Sequence, residues 1–294
     1  MKKISVAAIA LLLTVSAVSL SHAVVGVGIH YGVDLSMSMD NVDREAVNLS
    51  FNSPYITGDL SPFYVSRLNW KSSPVNFGAK FYVDIIPVIN AVELSCNFGM
   101  WQYDGSLHYL DINASEEATT VAGTPTAVYA DELPLTLDAT GLSYVGLSGT
   151  PYAKLHFDAS VRKTLLDIPA FKFSVGGGLS AHFATPLLSS KLIESALSGM
   201  PINSVFMEDL ADPDGAVAAD VARKIVKKVV DEAFGKPVMG MHLLVGANAK
   251  LPAIPVGVYV DGKLMVPFSN FDKDAGKGVE GLGFLLNMGL SMSI

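Results

Sequence analysis

Charge and cysteine are both scarce in this chain. Only 16% of its 294 residues are charged, where an average globular protein carries about 25%. Cys96 stands alone, which excludes an intramolecular disulfide and a cysteine-based zinc site; it reads as a small apolar side chain. A net charge of −8 lacks the basic footprint of nucleic-acid binding, so no nucleic-acid partner is expected. There is no GxxxxGK(S/T), HExxH or GxSxG motif, and no cofactor or metal is expected. Beyond residue 23 no run of about 18 apolar residues is available to cross a membrane as a helix. Yet half of the chain is hydrophobic, which is unusual for a soluble domain.

What is present begins with MKKISVAAIALLLTVSAVSLSHA. Lys2 and Lys3 form a charged n-region, Ile4 to Leu20 an apolar stretch, and Ser21-His22-Ala23 a cleavage site with small residues at −3 and −1. This is the pattern of a secretory signal peptide over 1–23. Cleavage near Ala23 leaves one domain, 24–294, with a formal charge of −10 once Lys2 and Lys3 are gone. No Cys follows the cleavage site, so a lipoprotein anchor is not expected.

The domain repeats one pattern eight times, an alternation of apolar and polar residues with the period of two of a strand. In 24–39, Val25, Val27, Ile29, Tyr31, Val33, Leu35, Met37 and Met39 oppose glycines, serines, His30 and Asp34. In 75–85, Phe77, Ala79 and Phe81 oppose Asn76, Lys80 and Asp84. From Ala91, Val92, Leu94, Cys96, Phe98 and Met100 oppose Glu93, Ser95, Asn97 and Gly99. In 151–163 the polar set is Lys154, His156, Asp158, Ser160 and Arg162. In 171–183 it includes Lys172, Ser174, Ser180 and His182. The stretches 239–250 and 256–268 contribute His242, Asn248 and Lys250, then Tyr259, Asp261 and Lys263. In 281–294, Leu282, Phe284, Leu286, Met288, Leu290, Met292 and Ile294 oppose mainly Gly, Ser and Asn287.

Most of these strands are long against the roughly 5–6 residues of a globular strand, and about 9–11 suffice to cross a bilayer at a tilt. Their connections alternate: 86–90, 164–170 and 251–255 are short, 40–74, 104–150 and 184–237 long, and 269–280 intermediate. The fold class expected is all-β, a closed antiparallel up-and-down transmembrane β-barrel of about eight strands with long outer loops. Ten strands is the alternative, if LPLTLDATGLSYVGL (133–147) supplies two more. The insert at about 185–237 holds a helix expected over Asp214–Phe234, with Asp212 as cap and Pro213 in the first turn. Val217, Val221, Ile225, Val229 and Ala233 form its apolar stripe, and Arg223, Lys224, Lys227 and Lys228 its basic face. The stripe is expected to pack on the barrel rim or other loops; a lid, plug or membrane-surface helix is the alternative.

Alternation does not say which face looks out. A near-neutral mixture of charges on the polar faces, many small residues beside them, long strands and asymmetric loops point to a crowded polar lumen with lipid outside. The lumen network expected is His30, Asp34, Lys80, Asp84, Glu93, Lys154, His156, Asp158, Arg162, Lys172, His182, His242, Lys250, Asp261 and Lys263. The histidines read as hydrogen-bonded filler, and Trp101 and Tyr103 as interfacial aromatics closing a strand.

In this architecture the chain resembles the small bacterial outer-membrane β-barrels of the OmpA/OmpX/OmpW type. Its last residues, NMGLSMSI, resemble the insertion signal of that class through Asn287, Gly289, Met292 and Ile294, with Ile294 where Phe is common. The resemblance implies outer-membrane lipid around the barrel, and periplasmic chaperones and the barrel-assembly machinery as partners in biogenesis. The function expected is structural or surface display, not an enzyme. Transport or binding of a small solute, hydrophobic ones included, is the alternative. Remoter alternatives are a soluble lipocalin-like binder and a lipid-modifying enzyme built around His108 with Asp104, Ser106 and Asp111.

Overall fold

A computed structural model describes residues 25–35, 41–51, 61–70, 75–84, 91–122, 126–134, 150–168, 170–212, 216–235, 237–250, 255–268 and 282–293. Residues 1–23, where a signal peptide is expected, and Ile294 lie outside them. In chain order the strands are β1 (Val25–Asp34), β2 (Val42–Ala46), β3 (Phe63–Trp70), β4 (Val75–Val83), β5 (Ala91–Asp111), β6 (Val128–Pro134), β7 (Thr150–Ile168), β8 (Phe171–Ala184), β9 (Val238–Lys250), β10 (Val256–Pro267) and β11 (Gly283–Ser293). Helix α1 (Ile112–Ala122) lies between β5 and β6; α2 (Ser190–Leu197), α3 (Ser204–Ala211) and α4 (Ala216–Gly235) lie between β8 and β9.

Eight of these strands close a ring, β1–β4–β5–β7–β8–β9–β10–β11 and back to β1, every pair antiparallel. They are the eight segments with the two-residue period. The seam between the first and last strands runs from Gly26 opposite Ser293 to Asp34 opposite Leu285. Closure leaves the wall without an unpaired edge, which a barrel in hydrocarbon requires. The ring has eight strands, not ten; β6 pairs with β5 above it, and most of 133–147 lies outside the described residues. One connection is shorter than expected: β7 and β8 run on through most of 164–170.

Side chains alternate across the wall. In β1 and β9 successive residues are exposed and buried in turn. The exposed set is apolar: Ile29 is 67% accessible, Leu243 62% and Met288 63%, with Phe77, Leu94, Val161 and Leu290 alongside. The buried set is mainly polar, with Leu244, Tyr259, Met265 and Leu285 among it. This is inside out for a barrel in water and matches one surrounded by lipid. Small inward residues make room: a Cβ on Gly178 would collide with the carbonyl oxygen of Ala159.

β5 is 21 residues long and serves two structures. Its first half is barrel wall, between β4 and β7. Its second half is the centre of a cap sheet, β2–β3–β5–β6. The apolar core of the molecule sits in this cap, where Phe63, Val65, Leu107 and Leu110 meet the helices. α2 supplies Leu192, Ile193 and Leu197, and α3 supplies Phe206, Met207 and Leu210. Side-chain caps start the helices: Ser189 accepts from Leu192 N at 3.3 Å, and Asn203 accepts from Phe206 N at 2.9 Å. In α4, Val221, Ile225 and Ala233 are buried, and Val217 and Val229 pack beside them. The stripe therefore faces the cap rather than a membrane surface. Its basic face is answered by acids of the same helix, Arg223 and Lys224 by Asp220, Lys227 by Asp231 and Lys228 by Glu232. Residues 213–215, where the helix was expected to begin, are outside the described set.

Leu243→Arg puts a charge in the middle of the apolar belt. It is expected to lower the unfolding free energy in lipid vesicles by about 2–4 kcal/mol, read by urea titration. An unchanged value would place that face in water.

Candidate functional site

The inward side chains form a column of ion pairs. At the short-turn mouth, Asp84 just past β4, Lys172 at the start of β8 and Lys250 at the end of β9 line a cleft of about 100 Å³. Lys172 meets Asp167 at 3.0 Å, and Lys250 Nζ lies 3.5 Å from Ser293 Oγ. Above them Arg162 grips Asp261 with both terminal nitrogens at 2.8 Å and donates to Glu93 Oε1 at 2.8 Å. Lys80 Nζ is 2.8 Å from Asp261, 3.6 Å from Glu93 and 3.2 Å from the centroid of the Tyr259 ring. Such a bidentate, cation–π-buttressed cluster holds its charges in one geometry.

The next levels continue the pattern. Lys263 donates to Asp158 at 2.5 Å and to Ser95 at 2.7 Å. The two ring nitrogens of His242 meet Ser160 and Ser180 at 2.8 Å each. His30 bonds Tyr259 at 2.9 Å and Asn97 at 2.5 Å, while Asn287 donates to Asn97 and accepts from Asn76. Near the top Lys154 meets Asp34 at 2.8 Å, and the rings of His156 and His182 lie 5.5 Å apart. Three buried lysines, Lys80, Lys154 and Lys263, and the nearly buried Arg162 thus stand beside four buried acids, Asp34, Glu93, Asp158 and Asp261. A buried charge is costly unless it is paired, and the pairs fill the centre of the barrel. Among the described residues no three metal-ligating side chains converge, and the histidines are spread along the column.

The column is roofed by Trp101, Tyr103 and Tyr152, each about 1% accessible. Trp101 and Tyr152 stack edge to face at 5.7 Å, and the Tyr103 hydroxyl accepts from Leu188 N at 2.9 Å. Trp101 and Tyr103 are therefore not interfacial girdle residues. They continue the odd-numbered, inward parity of Glu93, Ser95 and Asn97 into the cap; that parity was legible in the sequence.

His108 lies on the other face of the cap sheet. Its Nε2 is 3.2 Å from both Ser66 and Ser106, which bond each other at 2.5 Å. Ser66, from β3, was not anticipated. Asp111 does not join them: it caps α1, accepting from Ala114 N at 2.9 Å. In the last strand Asn287 points inward, Gly289 packs against β1 and Tyr259, and Met292 points outward.

No family model matches the chain, and no curated protein matches it. Among solved structures it is similar to Neisserial surface protein A, at 10% identity over 92% of this chain and 96% of that one, with a TM-score of 0.35. It is also similar to the N-terminal β-barrel domain of OprF from Pseudomonas aeruginosa, at 8% identity over 92% and 97%, with a TM-score of 0.32. The closed ring and its inside-out wall carry the fold by themselves. This is the architecture of a small outer-membrane β-barrel.

Asp261 is the hub of the column. Asp261→Asn leaves Arg162 and Lys80 short of negative charge in a buried place and is expected to cost about 3–5 kcal/mol. Adding Lys80→Met is expected to restore part of it, both read by denaturant unfolding of the refolded barrel in detergent.

Proposed function

We propose that the protein is exported, cleaved near Ala23, and inserted into the outer membrane of a Gram-negative-type bacterium, where the barrel anchors a folded cap on the outer side. Its role in this reading is structural or surface display rather than catalysis. One observation carries the reading: the apolar core lies in the cap, while the barrel holds a charge-balanced column of ion pairs. A solute would have to break those pairs to pass, so the lumen serves as a rigid post rather than a pore. Periplasmic chaperones and the barrel-assembly machinery are its partners in biogenesis.

A second reading, lateral binding of a small apolar solute, is favoured by a groove of about 740 Å³ in the outer wall. Ile29, Ala79, Phe81, Leu94, Cys96 and Phe157 line it. Against catalysis, Asp111, one of the two carboxylates expected beside His108, is engaged in capping α1.

Separated inner and outer membranes, run on gels with and without boiling, test the first reading. The expected result is an outer-membrane band whose mobility shifts on boiling, with no conductance in planar bilayers. Steady single-channel conductance would refute the filled post, and a soluble periplasmic protein would refute the membrane placement.

A further inference from the structure

The cap carries a second polar site, separate from the lumen. A cavity of about 510 Å³ opens on the cap sheet, lined by Asp43, Arg44, His108, Ala127, Val128 and Tyr129. Its volume falls in the range of small-molecule sites, roughly 300–1,000 Å³. The pairing of β2 with β3 shifts register between Val42 and Glu45, at Asp43 and Arg44. Such bulges re-aim side chains. Here the guanidinium carbon of Arg44 lies 4.2 Å from the centroid of Tyr64 and 4.6 Å from that of Tyr129. The two rings are themselves packed edge to face at 4.9 Å.

The rings hold Arg44 in place without using its hydrogen bonds. Among the described residues no acid pairs with it, whereas Arg67 on the same sheet is engaged by Glu45 and by the carbonyl of Leu188. The Tyr129 hydroxyl is also committed, donating to Ser61 O at 2.8 Å, and burial beside Tyr64 raises its pKa. What faces the cavity is a stacked arginine fork, a carboxylate at Asp43, and His108 backed by two serines. A planar fork fixed in advance matches a planar carboxylate, with two parallel N–H···O bonds. Asp43 supplies an acceptor for hydroxyl groups.

We propose that this cavity binds a sugar acid: a compact polyhydroxylated ring bearing one carboxylate, held by Arg44 through the carboxylate and by Asp43 through ring hydroxyls. Arg44 and Asp43 cancel in charge, which admits a monoanion and disfavours a phosphate dianion. The site is independent of the ion-pair column and goes beyond display alone.

The test uses the full-length protein refolded in detergent, so its outcome does not depend on membrane placement. D-glucuronate, D-glucose and inorganic phosphate are titrated by calorimetry and ligand-observed NMR. Glucuronate is expected to bind at least tenfold more tightly than glucose or phosphate. Arg44→Gln is expected to weaken glucuronate binding at least tenfold, and Arg44→Lys to recover only a minor part, because an ammonium keeps the charge without the fork. Asp43→Asn is expected to narrow the preference over phosphate. Gel mobility before and after boiling establishes that each variant is folded. Glucose or phosphate binding as tightly as glucuronate to the unaltered protein would overturn the proposal, as would a folded Arg44→Gln protein that binds glucuronate normally.

Discussion

Every charge inside an eight-stranded barrel has to find its opposite within a few ångströms, because there is no room for bulk water to screen it. That constraint organises the molecule. Arg162 spans β7 to Asp261 on β10 and Glu93 on β5; Lys80 reaches Asp261 from β4; Lys263 on β10 reaches Asp158 on β7. The Arg162–Glu93 bond ties the neighbouring strands β7 and β5; the others are struts across the lumen. The lumen then supplies no apolar core, and the wall turns its large hydrophobic side chains outward. The protein stands only where hydrocarbon replaces that missing core. Hydrogen bonds of the closed ring satisfy the backbone there.

The cap obeys the opposite rule. It buries leucine, isoleucine and phenylalanine among a sheet and helices, as a water-soluble domain does. One strand joins the two regimes. β5 passes from Glu93 and Asn97, which face the ion pairs, through Trp101 and Tyr103, to Leu107 and Leu110 in the cap core. The inward face changes from polar to aromatic to aliphatic within one uninterrupted strand. The cap is thereby held to the barrel by continuous backbone pairing as well as by loop connections.

The barrel was legible in the sequence because its constraint is local. A wall with lipid on one side and ion pairs on the other must alternate at every residue, so the eight strands and the parity of Lys80, Asp158 or Asp261 follow from a period of two. The cap sheet was not legible for the same reason. β2 has five residues, its register shifts, and β3 and β6 pair with a part of β5 that reads as loop once the alternation stops. The pairing of His108 with Ser66 spans 42 positions and has no local signature. Trp101 and Tyr103 were misplaced because aromatic residues at a strand end suggest an interface, although their odd numbers had already assigned them inward. Asp111 followed an equally local rule, helix capping, that competed with the expected cluster around His108.

The division of labour also explains where the protein can vary in function. A change in the column breaks a strut and unbalances a neighbour, as the shared use of Asp261 by Arg162 and Lys80 makes plain. A change on the outer wall is judged by the membrane. The outer face of the cap sheet is under less constraint: Phe63, Val65 and Leu107 hold the sheet from behind, Tyr129 packs against that core and donates to Ser61, and Arg44 lies over the Tyr64 and Tyr129 rings. A rigid support at the surface is where recognition is least expensive to build, and it is there that the one stacked arginine without an acid partner among the described residues is found.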